Sequence, residues 1–87
     1  MEIKLLEQAK TDLEYWKKTG NKAVMNKITA LLKDISEHPY TGIGKPEALR
    51  YELSGKWSRR INSEHRIIYS VHEDIIEVYV FSMRYHY

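Results

Sequence analysis

The residues of this chain with the greatest chemical potential lie between Lys45 and Arg66. Six basic residues, at 45, 50, 56, 59, 60 and 66, stand there against three acidic ones, at 47, 52 and 64, a local charge of +3 with Tyr51 and Trp57 interleaved. All five arginines, at 50, 59, 60, 66 and 84, fall in the second half, whereas residues 1–43 carry seven lysines and no arginine. Arginine grips phosphate bidentately and stacks on bases, so this distribution marks a surface suited to phosphate. A carboxylate, Glu47, and an imidazole, His86, are available for proton transfer. Breaking an RNA chain without a metal needs a base for the 2′-hydroxyl, cations on the phosphoryl oxygens and an acid for the departing 5′-oxygen. Glu47, the arginines and His86 could fill those places, although such residues occur together in nearly every protein.

Other chemistries are poorly supplied. The four histidines, at 38, 65, 72 and 86, show no metal-ligand spacing, and the three aspartates are scattered at 12, 34 and 74. No metal and no cofactor is expected on that pattern. There is no cysteine, no Gly-flanked strained serine and no phosphate-cradling glycine loop leading into a helix.

The elements that must position these groups follow from periodicity. Ile3 and Leu5 start a short strand, after which Leu6, Ala9, Leu13 and Trp16 share one helical face up to Gly20. Asn21 is the expected N-cap of a second helix with the stripe Val24, Ile28, Leu31, Leu32 and Ile35, which Pro39 stops. Thr41 to Pro46 is loop by its Gly and Pro content, and beyond it the apolar period becomes extended. Strands are expected at Leu49 to Leu53, Trp57 to Asn62, Arg66 to His72 and Ile75 to Met83, joined by short gaps as an antiparallel meander. Ile67-Ile68-Tyr69 and Ile75-Ile76 through Val78-Tyr79-Val80-Phe81 are apolar on both faces and should be central. The expected class is α+β, with two N-terminal helices packed on one side of a small antiparallel sheet.

At 87 residues, 43% apolar and 30% charged, the chain reads as one globular domain over 1–87. No apolar run approaches the ~20 residues of a membrane-spanning helix, and Met1 to Leu6 is too short and charged for a signal peptide, so a cytoplasmic protein is expected. The net charge of +2 and a pI of about 8.8 do not by themselves mark a nucleic-acid-binding domain.

Several short runs together carry a resemblance. Gly44-Lys45-Pro46-Glu47, Leu53-Ser54-Gly55, Trp57-Ser58-Arg59-Arg60-Ile61, Glu64-His65-Arg66 and Arg84-Tyr85-His86-Tyr87 resemble, in order and spacing, the YoeB family of toxin endoribonucleases within the RelE superfamily. The likeness extends over the whole length, including both helices. It implies a βααβββ-type fold and a bacterial type II toxin that binds the ribosome, cuts mRNA in the decoding site and is neutralised by a YefM-like antitoxin. By motif position, Glu47 would be the general base, Arg66 the phosphate clamp, His86 the general acid and Tyr87 a positioning residue. Lys45, Arg59 and Arg84 match further basic members of that active surface, as contacts to RNA phosphate. Dimerisation is known in the family, and the exposed helical surface could serve for it. The chain departs from the pattern at Ala48, where a second proline is common after the glutamate.

The same residues also have plainer readings. Glu47 in most proteins would be a solvated loop carboxylate, and Arg66 an edge charge. Arg59 and Arg60 are adjacent on a strand and point to opposite faces. Arg59, which shares a face with Trp57 and Ile61, is the one expected to support the site. Trp16 is expected in the core, Trp57 in packing, and Tyr51, Tyr69 and Tyr79 in the core or sheet. Tyr85 alternates with His86 and should face away from it. A binding toxin on the same scaffold, like the ParE relatives that inhibit gyrase without cutting nucleic acid, is the alternative; it would not need Glu47, Arg66 and His86 together.

Overall fold

The computed structural model describes residues 1–85; His86 and Tyr87 lie outside the described residues. Strand β1 (Glu2–Leu5) leads into helix α1 (Glu7–Thr19) and helix α2 (Lys22–Glu37), followed by strands β2 (Glu47–Ala48), β3 (Trp57–Arg60), β4 (Arg66–His72) and β5 (Glu77–Ser82). The five strands form one sheet in the order β1-β5-β4-β3-β2. The expected α+β architecture is present, with the helices against one sheet face and β4 and β5 in the interior of the sheet.

The helix boundaries follow local chemistry. The Asn21 side chain accepts the Val24 N–H at 3.1 Å, satisfying one of the donors left free at a helix start. Gly20 ends α1 in the left-handed region at φ 68°, where its N–H bonds the Lys17 carbonyl, and a side chain would be strained there. Ala9 and Trp16 from α1 and Val24, Ile28, Leu31 and Ile35 from α2 are buried against Ile67, Tyr69, Val78 and Val80. Spacings of three, four and seven on the helices meet alternation by two on the strands, and the core lies between them.

Four features differ from the sequence expectation. β5 runs over Glu77–Ser82 and not from Ile75 to Met83: Ile75 and Ile76 lie in the preceding turn, Ile76 at φ 56°, and both are exposed and not central. β1 pairs parallel with β5, Ile3 opposite Val78 and Leu5 opposite Val80, so the sheet is not purely antiparallel. The helical hairpin supplies the long crossover that such a pairing needs. Leu49 to Leu53 is not a strand: pairing stops after Ala48, and Tyr51–Leu53 form a 3-10 turn, with Tyr51 at φ 59°. A residue in the left-handed region cannot continue a pleat, and the Leu53 and Ser54 amides bond back to the Arg50 and Tyr51 carbonyls instead. β3 also ends two residues early, because the Asn62 side chain accepts the Glu64 and His65 amides and closes an Asx turn.

The core contains a guanidinium. Arg59 is completely buried on the helix-facing side of β3. Its Nε donates to the Tyr69 hydroxyl at 3.2 Å, one terminal nitrogen to Asp34 and the Ile43 carbonyl, and the other to the His38 and Thr41 carbonyls. All five of its N–H groups are thereby used. Tyr69 in turn donates to the Pro39 carbonyl at 2.7 Å. The segment 38–43, which has no regular structure, is thus held to the sheet by a guanidinium. Arg59→Met should cost about 3–5 kcal/mol, read as a lower urea midpoint, because it strands Asp34 and three carbonyls. The hydrogen bond from Arg59 holds the Asp34 carboxyl below its ordinary value, against the opposing effect of burial. A carboxyl depressed on folding adds stability above its unfolded-state pKa and loses it as pH falls through the folded value. Asp34→Asn should therefore flatten the fall of Tm with acid that the wild type shows below about pH 4.

Candidate functional site

The sheet face away from the helices carries the candidate chemistry. Strand alternation puts Ser58, Arg66 and Ile68 on that face, while Arg59, Ile61, Ile67 and Tyr69 point to the core. Glu47 pairs across the hairpin with Ser58, and Ser58 pairs with Ile68, so the three form a row over β2, β3 and β4. Arg66 Nη1 donates to Glu47 Oε1 at 3.2 Å and lies 3.4 Å from Ser58 Oγ. A groove of about 270 Å³ opens beside this pair, with Ser58, Ile68 and Arg66 as its floor and Leu49, Arg50, Tyr51, Glu52 and Leu53 as its rim.

The loop geometry that delivers Glu47 depends on Gly44. Its φ is 79°, its carbonyl accepts the Arg60 amide at 2.7 Å, and a Cβ there would come within 2.6 Å of Leu31. That close approach of backbone to α2, three residues before Glu47, sets where the chain enters β2. Lys45, also at positive φ, lies on the exposed side of this turn.

The expected site residues separate into groups. Glu47 and Arg66 are brought together. Lys45 lines a different notch, with Lys27, Arg60 and Asn62. Arg59 is a correction: the face it shares with Trp57 and Ile61 is the one the helices cover, so its guanidinium is engaged within the core and does not face RNA phosphate. Arg84 lies with its guanidinium 3.5 Å from the centre of the Tyr15 ring on α1, and Nη2 donates to the Tyr85 hydroxyl. It is therefore engaged with two tyrosines and not with the Glu47–Arg66 pair. His86 and Tyr87, expected as acid and positioning residue, lie outside the described residues.

Sequence reasoning passed over Ser58, Arg50 and Tyr51 as neighbours of the pair. Tyr51 was expected in the core or sheet, yet it is 88% exposed at the groove rim. The Ser54-Gly55 turn signal was available, but not that the turn begins at Arg50. Because Glu47 is mostly exposed, its ion pair with Arg66 contributes little to the fold. Glu47→Gln should change stability by less than about 0.5 kcal/mol in urea unfolding, whatever it does to activity.

Residues 5–87 match the family model described as "YoeB-like toxin of bacterial type II toxin-antitoxin system". The chain is 44% identical over 81 residues to Toxin YoeB of Escherichia coli (strain K12), covering 93% of each. A YoeB/ParE toxin from Agrobacterium tumefaciens superposes with a TM-score of 0.93 at 34% identity over the whole of both chains. YoeB in the heterotetrameric YoeB-YefM complex from Staphylococcus aureus gives 0.86 at 40% identity, covering 100% of this chain and 98% of that one, and YoeB from the same organism also forms a dimer. The motif runs, the sheet that carries them and the near-complete coverage agree: the chain belongs to the YoeB-like toxins of bacterial type II toxin-antitoxin systems.

Proposed function

We propose that this toxin is a metal-independent, ribosome-dependent endoribonuclease that cleaves mRNA in the decoding site. The observation that carries this reading is the contact between Glu47 and Arg66 on the sheet face away from the helices, beside a groove whose charged lining is Arg50, Arg66 and Glu52. A carboxylate and a guanidinium in hydrogen-bond contact are the base and the phosphate clamp of 2′-hydroxyl attack. When a phosphate enters, Arg66 exchanges the carboxylate for phosphoryl oxygens, and Glu47 is released to take the 2′-hydroxyl proton. The 2′-oxygen attacks phosphorus, Arg66 balances the charge of the phosphorane, and His86 protonates the departing 5′-oxygen. The products are a 2′,3′-cyclic phosphate, which addition of water opens to a 3′-phosphate, and a 5′-hydroxyl.

A molecule with a radius of gyration of 12.0 Å surrounds only a few nucleotides, so the ribosome supplies most of the substrate placement. Free RNA should be cut poorly. By analogy with the Staphylococcus aureus relative, a YefM-like antitoxin binds this chain, and a homodimer is a second assembly to test. Primer extension on mRNA translated in a purified system tests the reading. Wild type should give discrete ribosome-dependent cuts within codons, and Glu47→Ala, Arg66→Ala and His86→Ala should each lose them by about 10²-fold or more. Growth arrest with intact mRNA would overturn it in favour of a binding toxin, with gyrase the next target.

A further inference from the structure

Asp12 is a carboxylate only 3% exposed, set on the core-facing side of α1 where the apolar stripe predicts no charge. The mechanism above does not use it. Its Oδ2 accepts the Met83 N–H at 2.9 Å, and its Oδ1 accepts from Gln8 at 2.8 Å. One turn further along α1, Trp16 Nε1 donates to the Met83 carbonyl at 2.9 Å. Both backbone groups of Met83, the first residue after β5, are therefore held by side chains of a helix and not by a neighbouring strand.

Two residues on, the same arrangement recurs on the other side. The Tyr85 N–H donates to His65 Nδ1 at 2.8 Å, and the Arg66 N–H donates to the Tyr85 carbonyl at 2.9 Å. The His65 ring stands edge-on to Trp16, with centroids 4.8 Å apart, so the two halves are packed on one another. Chain ends with no such anchors fray. Here Met83 to Tyr85 have left the sheet ladder, yet four hydrogen bonds hold them. The Tyr85 carbonyl, which is bonded to residue 86, rests on the backbone of Arg66, whose side chain holds Glu47.

We propose that Asp12, Trp16 and His65 are positioning residues that set where residue 86 begins relative to Glu47 and Arg66. The inference rests on the nuclease reading for the role of His86, but Asp12, Trp16 and His65 themselves do not line the groove. Through this clamp, side chains of α1 reach the backbone of Met83 and, across the contact of Trp16 with His65, that of Tyr85. A displacement of about 1 Å at a reacting group is enough to lower a rate by about 10²-fold, so loss of the clamp should appear in turnover and not in ribosome affinity.

The test compares Asp12→Ala, Asp12→Asn and His65→Ala with wild type in two ways. Single-turnover cleavage of ribosome-bound mRNA should fall by about 10²-fold in Asp12→Ala and His65→Ala with ribosome binding unchanged, and Asp12→Asn, which keeps an oxygen acceptor for Met83, should recover most of it. In isotope-labelled protein, the Met83 and Tyr85 amides should exchange faster in the two alanine variants and the His86 ring resonances should move, while Val78 and Val80 stay protected. Should Asp12→Ala not fold, His65→Ala carries both measurements, since its ring lies outside the core cluster. Folded variants with unchanged cleavage and unchanged His86 resonances would overturn the proposal. A wild type that cuts no mRNA would remove the nuclease reading alone, and the His86 resonances would then decide the positioning.

Discussion

The burial of one guanidinium constrains the rest of this structure. Arg59 enters the core from a strand, and a full charge is tolerated there only because every N–H finds an acceptor. The acceptors come from Asp34 on α2, from the loop 38–43 and from Tyr69 on β4, so satisfying one side chain fixes three parts of the chain at once. The loop has no strand or helix of its own to hold it. With it in place, Gly44 can pass close to Leu31 and deliver Glu47 to the hairpin opposite Ser58.

The two sheet faces divide the work. Toward the helices lie aliphatic and aromatic side chains and the saturated Arg59 network, which account for stability. Away from them lie Glu47, Ser58 and Arg66, whose mutual contacts are 3.2 and 3.4 Å long, with Glu47 open to solvent, and add little to the fold. Groups held weakly by each other can exchange partners when a substrate arrives, whereas Arg59, with all its hydrogen bonds made, cannot. The adjacent residues Arg59 and Arg60 illustrate how fully alternation separates the two tasks: the first is buried and the second exposed.

Much of the fold was legible. The helical stripes, the Asn21 cap, the Gly20 stop and the interior position of β4 and β5 all follow from local spacing and local hydrogen bonds, which a sequence records directly. The parallel partner of β5 was not legible, because β1 is four residues long and its neighbour lies more than seventy residues away. Leu49 to Leu53 carried the alternation of a strand, but the backbone turns over at Tyr51, and no side-chain pattern announces a positive φ at a tyrosine. Of the candidate site, the motif runs supplied Glu47 and Arg66, and their contact in space agrees with a shared surface.

By itself, the sequence determined the class of fold, the placement of helices and central strands, and the family to which the chain belongs, because each rests on periodicity or on residues read in order. Only the tertiary structure decided which arginine of an adjacent pair is core, that Lys45 and Arg84 stand apart from the Glu47–Arg66 pair, and that Asp12 reaches the residue after β5. Alternation says that neighbours on a strand face opposite ways. Which of the two ways is covered by helices depends on contacts between residues distant in sequence, and that is set only when the whole chain packs.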